Sequence, residues 1–222
     1  MDDDDNSRQQ REYMVARLVA ARGIRDRALL EAMRRVPRHG FVAEWLRRDA
    51  YEDSPLPIEA GQTISQPYIV ALMLESARLR PTDRMLEVGA GSGYACAVAS
   101  RLVAHVDAVE RHPRLVALAR ERLARLGFDN VDVHVGDGSE GWPVGAPYDA
   151  IVVAAAAPQI PQALREQLAV GGRLVLPVAS GYGAQRLVLL TRHDDGWRED
   201  DLGGVMFVPL VGAQGWPERD ER

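Results

Sequence analysis

The chain has 222 residues, of which 46% are hydrophobic and 27% charged, and its formal net charge is −5 at pH 7. This composition is typical of a globular protein with one sizeable core, and the negative charge argues against general nucleic-acid binding. No apolar run is long enough to cross a membrane, and the acidic start at residues 2–5 is unlike the basic start of a signal peptide. The single cysteine, Cys96, excludes an intrachain disulfide and favours a reducing compartment. We therefore expect a cytoplasmic enzyme with no membrane or nucleic-acid partner.

The first part of the chain predicts helices and loops. Residues 8–22 carry apolar side chains at helical spacing, and Gly23 can end that helix. Asp26 can cap a second helix, which runs to Arg35 and carries another apolar stripe. Strong strand patterns appear only later in the chain, so these helices are expected to cover an α/β core.

We predict a single domain over residues 1–222. Residues 1–7 are acidic and are expected to form a disordered, solvated tail. Residues 8–80 are expected to form a helical cap that covers the substrate and cofactor, and residues 81–215 to form the core.

Residues 61–68 read Gly-Gln-Thr-Ile-Ser-Gln-Pro-Tyr, and a predicted helix follows them to about Leu79. Ser65 lies two residues before a proline at the start of this helix, so it is a good N-cap. The physics of the sequence alone favours this capping role. A role in catalysis is compatible with it.

From Arg84 onward, strands and helices alternate, which predicts a mostly parallel sheet covered by helices on both faces. The predicted fold class is therefore α/β, with a Rossmann-like, doubly wound sheet. The predicted strands are 84–88, 105–110, 131–135, 149–154 and 173–178, and the predicted helices are 94–103, 113–126 and 161–170. Two further strands, 186–193 and 204–211, are expected to form an antiparallel pair that closes the sheet.

Three glycines at alternate positions follow the first core strand, in Glu87-Val88-Gly89-Ala90-Gly91-Ser92-Gly93. Glycines let the backbone turn sharply and approach a ligand, and a helix start offers free N–H groups. Glu110 ends the next strand about 20 residues further on, where an acceptor for ribose hydroxyls belongs. The spacing differs from the G-x-G-x-x-G of dinucleotide enzymes. It resembles the S-adenosylmethionine site of Rossmann-like methyltransferases.

The third core strand ends in Gly136-Asp137-Gly138. Ligands of such sheets bind beyond the C-terminal ends of the strands, which places this turn beside the glycines and Glu110. Asp137 can face an adenine or can brace its own Asp-Gly turn, and the sequence leaves both roles open.

The sequence offers no metal site and no familiar nucleophile. The five histidines lack metal-ligand spacing relative to each other or to Cys96, so we assign no metal. Neither a G-x-S-x-G elbow nor a Walker A loop is present. A carboxylate acceptor for a methyl group is already ionised at pH 7 and needs no general base. Alignment and exclusion of water would then do most of the work, and Ser65 could donate a hydrogen bond to the acceptor.

Dispersed segments of the chain resemble protein-L-isoaspartate O-methyltransferases over about residues 10 to 215. The segment Thr63-Ile64-Ser65-Gln66-Pro67 is the most diagnostic, because generic methyltransferases lack it. The other matching segments are Val36-Pro37-Arg38, Phe41-Val42, Leu56-Pro57-Ile58, residues 86–94, Val109-Glu110-Arg111, Gly136-Asp137-Gly138, residues 146–151, Gln167-Leu168 with Gly171-Gly172, Leu176-Pro177-Val178 and Phe207-Val208-Pro209-Leu210.

The resemblance implies that S-adenosylmethionine methylates the free carboxylate of L-isoaspartyl residues in aged proteins and peptides. The ester then collapses to a succinimide, which can reopen as normal aspartate. The resemblance also implies an altered order of the C-terminal strands. It makes Ser65 the active-site serine and places Thr63 and Ile64 beside the substrate. The implied cofactor contacts are Glu87, Gly89, Ala90, Gly91, Ser92, Gly93, Glu110, Arg111, Gly136, Asp137 and Gly138.

Three other functions are weighed against this one. An O-methyltransferase for a dedicated peptide or small carboxylate acceptor fits the same scaffold, and a panel of peptides would separate the two. A cofactor-binding module without catalysis would be expected to lack Ser65 or the glycine loop, and both are present. The glycine spacing disfavours a nucleotide-dependent oxidoreductase. No interface patch stands out in the sequence, so a monomer is expected.

Overall fold

The computed structural model describes residues 4–218, which form nine strands and six α-helices joined by short helical turns. The α-helices are α1 (Asp5–Tyr13), α2 (Arg27–Arg35), α3 (Pro67–Ser76), α4 (Tyr94–Ala99), α5 (Pro113–Arg125) and α6 (Gln162–Glu166). The strands are β1 (Leu56–Pro57), β2 (Thr63–Ile64), β3 (Arg84–Val88), β4 (His105–Glu110), β5 (Val131–Val135), β6 (Tyr148–Val153), β7 (Leu168–Ala179), β8 (Gln185–His193) and β9 (Gly196–Val205).

Seven strands form one sheet in the order β5-β4-β3-β6-β7-β8-β9. The five strands from β3 to β7 are parallel, whereas β8 is antiparallel to both of its neighbours. The two-residue strands β1 and β2 pair separately from this sheet. The predicted fold class, a mostly parallel Rossmann-like sheet with an antiparallel strand near its C-terminal end, is confirmed.

The three strands that carry the predicted cofactor residues have the predicted bounds. In β3, residues 85–88 are all buried, and in β4 the last five residues are buried. A strand covered on both faces must be apolar at nearly every position, which makes it a recognisable continuous apolar run. The carboxyl ends of β3, β4 and β5 therefore form the edge at which the glycine turn, Glu110 and residues 136–138 lie.

The N-terminal acidic segment differs from the prediction. Residues 1–3 lie outside the described residues, but α1 begins already at Asp5, and Asp4 accepts a hydrogen bond from the backbone N–H of Ser7 at 2.7 Å. An aspartate is a favourable N-cap, so part of the supposed tail starts the first helix. The helical path continues to Arg22 as a π-helical and a 3₁₀ turn, and Gly23 ends it with φ at 108°.

The last strand was predicted out of position, whereas the strand predicted over 186–193 is β8 (Gln185–His193). The strand expected over 204–211 lies instead at β9, because the two-residue turn Asp194-Asp195 lets pairing resume at once between His193 and Gly196. Strand β9 is largely polar and lies at the sheet edge, so it has no apolar pattern to reveal it. The expected helix 161–170 is only the short α6, since β7 begins at Leu168 and pairs with β6.

Two hydrophobic clusters hold the helices to the two faces of the sheet. One contains residues of the N-terminal helices, such as Met14 and Leu29, together with Tyr94 of α4 and Val106 of β4. The other covers the opposite face and includes Leu86. The N-terminal segment thus shares its core with the sheet. Within residues 4–218, none of the helices combines the length and the apolar character that a bilayer-spanning segment requires.

Candidate active site

A cleft of about 1150 Å³ opens beyond the carboxyl ends of β3 and β4. Its walls are the turn after β3, the connection between β2 and α3, and the segment that follows β9. Eleven of the predicted site residues line it, namely Thr63, Ile64, Ser65, Glu87, Gly89, Ala90, Gly91, Ser92, Glu110, Arg111 and Gly138. The residues predicted to contact the substrate and those predicted to contact the cofactor therefore line the same cavity. Three predicted cofactor residues, Gly93, Gly136 and Asp137, lie outside its lining.

The three alternate glycines form a turn that side chains would disfavour. Gly89, Gly91 and Gly93 have φ values of 89°, 52° and 89°, in a region that other residues rarely adopt. Gly93 has a further packing role, because a Cβ there would lie 3.4 Å from the Cβ of Ala119 on α5. Two glycines therefore shape the cleft, while the third lets α4 pack closely against α5.

Glu110 is fixed by backbone amides at the end of β4. Its carboxylate accepts hydrogen bonds from the N–H of Gly91 at 3.1 Å and from the N–H of His112 at 3.0 Å. The side chain is buried, yet it lines the cleft. The bond from Gly91 links the Glu110 carboxylate to the glycine turn, so the carboxylate and the turn are held in a fixed relative position.

Glu87 presents a buried carboxyl group to the same cleft. Burial raises the pKa of Glu87 to about 8, and the charge of Glu110 adds to this effect, while a hydrogen bond with Cys96 opposes it. Its Oε2 atom is buried and has no hydrogen-bond partner within residues 4–218. A buried polar atom without a partner is costly. A cationic ligand beside this carboxyl group would favour its ionised form, and S-adenosylmethionine carries an ammonium group.

Residues 136–138 turn away from β5, and they have two structural roles. A Cβ on Gly138 would lie 2.5 Å from Cγ1 of Val88, so only glycine lets this turn lie against the end of β3. Asp137 braces the turn, since its Oδ1 accepts from the N–H of Ser139 at 2.9 Å. Its Oδ2 accepts from the N–H of Ala213 at 2.7 Å. Of the two roles left open by the sequence, the structure shows the bracing one.

Ser65 is not the helix cap that the sequence favoured. The N-cap of α3 is Gln66, and the amide of Tyr68 in its first turn donates instead to Oδ1 of Asp53 at 3.1 Å. Because α3 begins at Pro67, Ser65 precedes the N-cap. The hydrogen bond to the first turn of the helix is made by Asp53 instead. Ser65 is half-buried and lines the cleft.

Arg38 holds the backbone of Ser65, and sequence analysis assigned it no role beyond the matching segment Val36-Pro37-Arg38. Its side chain is completely buried, and burial lowers its pKa to about 10, although nearby groups led by Tyr94 raise it. Nη2 donates to the carbonyl oxygen of Ser65 and Nε to that of Ala50, each at 2.8 Å. The guanidinium carbon lies 4.8 Å from the centre of the Tyr94 ring. No periodic pattern could have revealed this contact, because it joins segments 27 residues apart.

The segment after β9 forms a wall of the cleft that the sequence also missed. Residues 204–211 line the cavity. The side chain of Gln185 on β8 holds this segment through two hydrogen bonds to the backbone of Phe207. Its Oε1 accepts from the N–H of Phe207 at 2.7 Å, and its Nε2 donates to the carbonyl oxygen of Phe207 at 3.0 Å. Further along, the N–H of Leu210 donates to the carbonyl oxygen of Ala156 at 2.8 Å. The only sequence signal was the matching segment 207–210.

Comparison with known proteins decides the family. A family model described as protein-L-isoaspartate(D-aspartate) O-methyltransferase matches residues 9–215. The chain belongs to this family. It is similar to protein-L-isoaspartate O-methyltransferase 2 of Pelobacter propionicus, with 55% identity over 95% of this chain and 94% of that protein. It is also similar to protein-L-isoaspartate O-methyltransferase 1 of Rhodopseudomonas palustris, with 57% identity over 93% of this chain and 85% of that one.

Solved structures agree with the membership. A protein-L-isoaspartate O-methyltransferase from Plasmodium falciparum, crystallised with S-adenosyl-L-homocysteine, shares 29% identity with a TM-score of 0.79. The alignment covers 90% of this chain and 98% of that one. Another structure of the same name has a TM-score of 0.84 at 29% identity, over 94% of this chain and 67% of that one. The chain is thus an S-adenosylmethionine-dependent methyltransferase, and two carboxylates that can accept hydrogen bonds, Glu87 and Glu110, line its cleft.

Proposed function

We propose that this methyltransferase esterifies the free carboxylate of L-isoaspartyl residues in damaged proteins and peptides, and so initiates their repair through a succinimide. The observation that carries the proposal is the position of segment 63–65. It forms one wall of the cleft whose other walls include the glycine turn and Glu110. Acceptor and cofactor can therefore meet in one cavity, in a chain whose relatives carry the name of this activity.

Three groups are suited to hold the cofactor. We assign the partnerless Oε2 of Glu87 to its ammonium group and the carboxylate of Glu110 to its ribose hydroxyls. The turn at Gly89 and Gly91 lets the ligand approach the backbone, because neither residue has a side chain in the way. When bound, S-adenosylmethionine supplies an electrophilic methyl group on a sulfonium.

The acceptor requires orientation and does not require a base. Its carboxylate is ionised at pH 7 and can attack without losing a proton. Ser65 is placed to donate a hydrogen bond to the acceptor carboxylate or to its neighbouring backbone. Thr63 and Ile64 would contact the peptide on either side of it. Since a cation and an anion react to give neutral products, alignment and a water-poor site supply most of the acceleration.

An ion pair lies beside segment 63–65 of the cleft. Arg22 lines the cleft, and its guanidinium carbon lies 3.6 Å from the centre of the Tyr68 ring. Arg22 also pairs with Asp53, which accepts from the side chain of Gln66 at 2.6 Å. This network fixes the connection that carries Ser65.

We also propose that the enzyme acts in the cytoplasm as a monomer with a single domain. Three features support this proposal. The only cysteine is buried and free. The net charge is −5, which opposes self-association. The N-terminal segment shares a hydrophobic cluster with the sheet.

The variant Ser65→Ala tests the assignment of the active-site serine. We expect kcat for an isoaspartyl peptide to fall about a hundredfold, as for loss of one preorganised donor, while S-adenosylhomocysteine binds with unchanged affinity. Ser76→Ala, at the end of helix α3 and outside the cleft lining, is the control and should keep full activity. Unchanged turnover in Ser65→Ala would overturn the catalytic role.

A further inference from the structure

Four polar side chains meet on one face of the sheet, at the edge opposite the cleft. His105 and Asp107 alternate on β4, and Asp132 and His134 alternate on β5, with Asp107 paired directly with Asp132. Residues two apart on a strand share a face, so the register of the two strands brings all four together. This clustering arises between strands, which is why the spacing of the histidines along the chain gave no sign of it.

Three atoms of this cluster have the separation of metal ligands. Nε2 of His105 lies 3.6 Å from Oδ1 of Asp107 and 3.5 Å from Oδ2 of Asp132. One ligand atom from each of the three residues lies within 4.8 Å of the others. Bonds of about 2.0 to 2.1 Å to a tetrahedral zinc ion put ligand atoms roughly 3.3 Å apart. The two separations that involve His105 are therefore close to those of a zinc site, at distances that are long for hydrogen bonds.

Asp107, the buried residue of the cluster, is held by hydrogen bonds from its neighbours, as carboxylates that ligate metals usually are. Oδ2 of Asp107 accepts from Arg84 at 3.1 Å and from the hydroxyl of Tyr148 at 3.3 Å. Oδ1 shares a hydrogen bond with Nε2 of His134 at 2.9 Å, and the His134 ring stacks on Trp142 with centroids 4.1 Å apart. Such surrounding bonds orient a carboxylate and strengthen a metal site.

The other two members are accessible to solvent. The side chain of His105 is 29% exposed and that of Asp132 is 69% exposed, whereas that of Asp107 is only 6% exposed. An ion can thus enter from solvent and keep a water molecule in its fourth position. Asp107 and Asp132 carry two negative charges, and the single positive charge of Arg84 lies on the far oxygen of Asp107. The local charge therefore favours a cation.

We propose that His105, Asp107 and Asp132 bind a zinc ion, with His134 positioning Asp107. One imidazole and two carboxylates suit zinc better than magnesium or calcium, which prefer oxygen ligands alone. His105 begins β4 and Glu110 ends it, so the site lies about 16 Å from the cofactor edge. The ion takes no part in methyl transfer. It joins β4 to the edge strand β5 and stabilises the folded state by mass action.

Zinc titration of the metal-free, full-length protein against a chromophoric chelator tests the site. We expect one zinc ion per chain, with affinity at least tenfold weaker in His105→Ala and in Asp132→Asn. The matched control is His193→Ala, an exposed histidine at the end of β8, which should bind zinc as the unaltered chain does. Methyl transfer should be the same with and without a chelator.

Thermal unfolding gives a second readout that does not depend on activity. Zinc should raise Tm of the unaltered chain and of His193→Ala, and should leave Tm of His105→Ala unchanged. Asp132→Asn changes a largely exposed side chain, so it keeps the test valid if His105→Ala unfolds early. If the unaltered chain does not bind zinc, or if both variants bind it with full affinity, the proposal is overturned and the cluster is only a hydrogen-bond network.

Discussion

The carbonyl oxygen of Ser65 accepts a hydrogen bond from the completely buried guanidinium of Arg38 at 2.8 Å. A buried cation is costly unless it makes hydrogen bonds, and Arg38 makes them through Nε and Nη2, whereas its Nη1 has no partner among residues 4–218. The bond to Ser65 therefore fixes segment 63–65, which forms one wall of the cleft. A second bond, to Ala50, anchors the guanidinium on the other side. Arg38 is therefore a positioning residue for the active-site serine.

Arg38→Lys should lower both stability and turnover. Lysine keeps the charge but cannot reproduce the two divergent bonds, which should cost about 2 kcal/mol of the free energy of unfolding. We expect kcat for an isoaspartyl peptide to fall about tenfold or more, with little change in affinity for S-adenosylhomocysteine. Steady-state kinetics and calorimetry measure the two effects. Arg48→Lys, at an exposed position, is the control. An equal loss of cofactor affinity would argue for a general folding defect instead.

Glu87 should make the protein less stable as the pH rises. Its pKa is about 8 in the folded protein and 4.5 ordinarily. Between these values the folded chain holds a proton that the unfolded chain has released. The free energy of unfolding should therefore decrease with pH through this window, by roughly 3 to 5 kcal/mol at most.

Urea unfolding of the unaltered chain and of Glu87→Gln, each at pH 5 and pH 8.5, isolates this effect. The amide cannot titrate, so the variant should lose less stability between the two pH values. Ionisable groups that do not interact with Glu87 contribute equally to both proteins, so the difference between them reports Glu87 together with its neighbours Glu110 and Cys96. The same pH dependence in both would show that Glu87 ionises at its ordinary pKa.

Glu110→Ala should weaken cofactor binding. The alanine loses the acceptor assigned to the ribose and also frees the amides of Gly91 and His112 that the carboxylate holds. Loss of such buried bonds costs about 1 to 3 kcal/mol, so we expect S-adenosylhomocysteine to bind roughly tenfold to a hundredfold more weakly in calorimetry. Glu121→Ala, on the exposed side of α5, serves as control. Full affinity in Glu110→Ala would remove the ribose assignment.

Gly138→Ala and Gly136→Ala form a matched pair two residues apart. The added methyl group would lie 2.5 Å from Cγ1 of Val88 in the first case and 3.4 Å from Cγ1 of Val109 in the second. Because Val88 is buried at the end of β3, it cannot move away freely. Overpacking of this kind costs about 1 to 3 kcal/mol, so Gly138→Ala should have a lower Tm than Gly136→Ala. Equal values would contradict the close packing of this turn.

The parts of the fold that could be predicted from the sequence are those whose secondary structure shows in the pattern of consecutive residues. Strands β3, β4 and β5 were predicted at their observed bounds. Strands β3 and β4 are buried along most of their length, whereas the edge strand β5 has valine at alternate positions. The glycine turn and Glu110 follow these strands directly. A parallel sheet places the carboxyl ends of these strands side by side, so the proximity of the glycine turn and Glu110 could be predicted from the topology.

The parts that the sequence missed depend on contacts between distant segments. Ser65 was taken for a helix cap because a local rule fits it, yet Asp53 makes the contact with the first turn of α3. Arg38 and the cluster around Asp107 lack periodicity, since their partners lie on other strands and loops. Strand β9 is polar at a sheet edge, where no burial pattern marks it.

The most direct test of the central claim is methyl transfer from labelled S-adenosylmethionine to two matched peptides. One peptide carries L-isoaspartate and the other carries L-aspartate at the same position. The account predicts that only the isoaspartyl peptide becomes methylated, and that Ser65→Ala abolishes most of this transfer. Equal methylation of both peptides, or of neither while S-adenosylhomocysteine still binds, would contradict it.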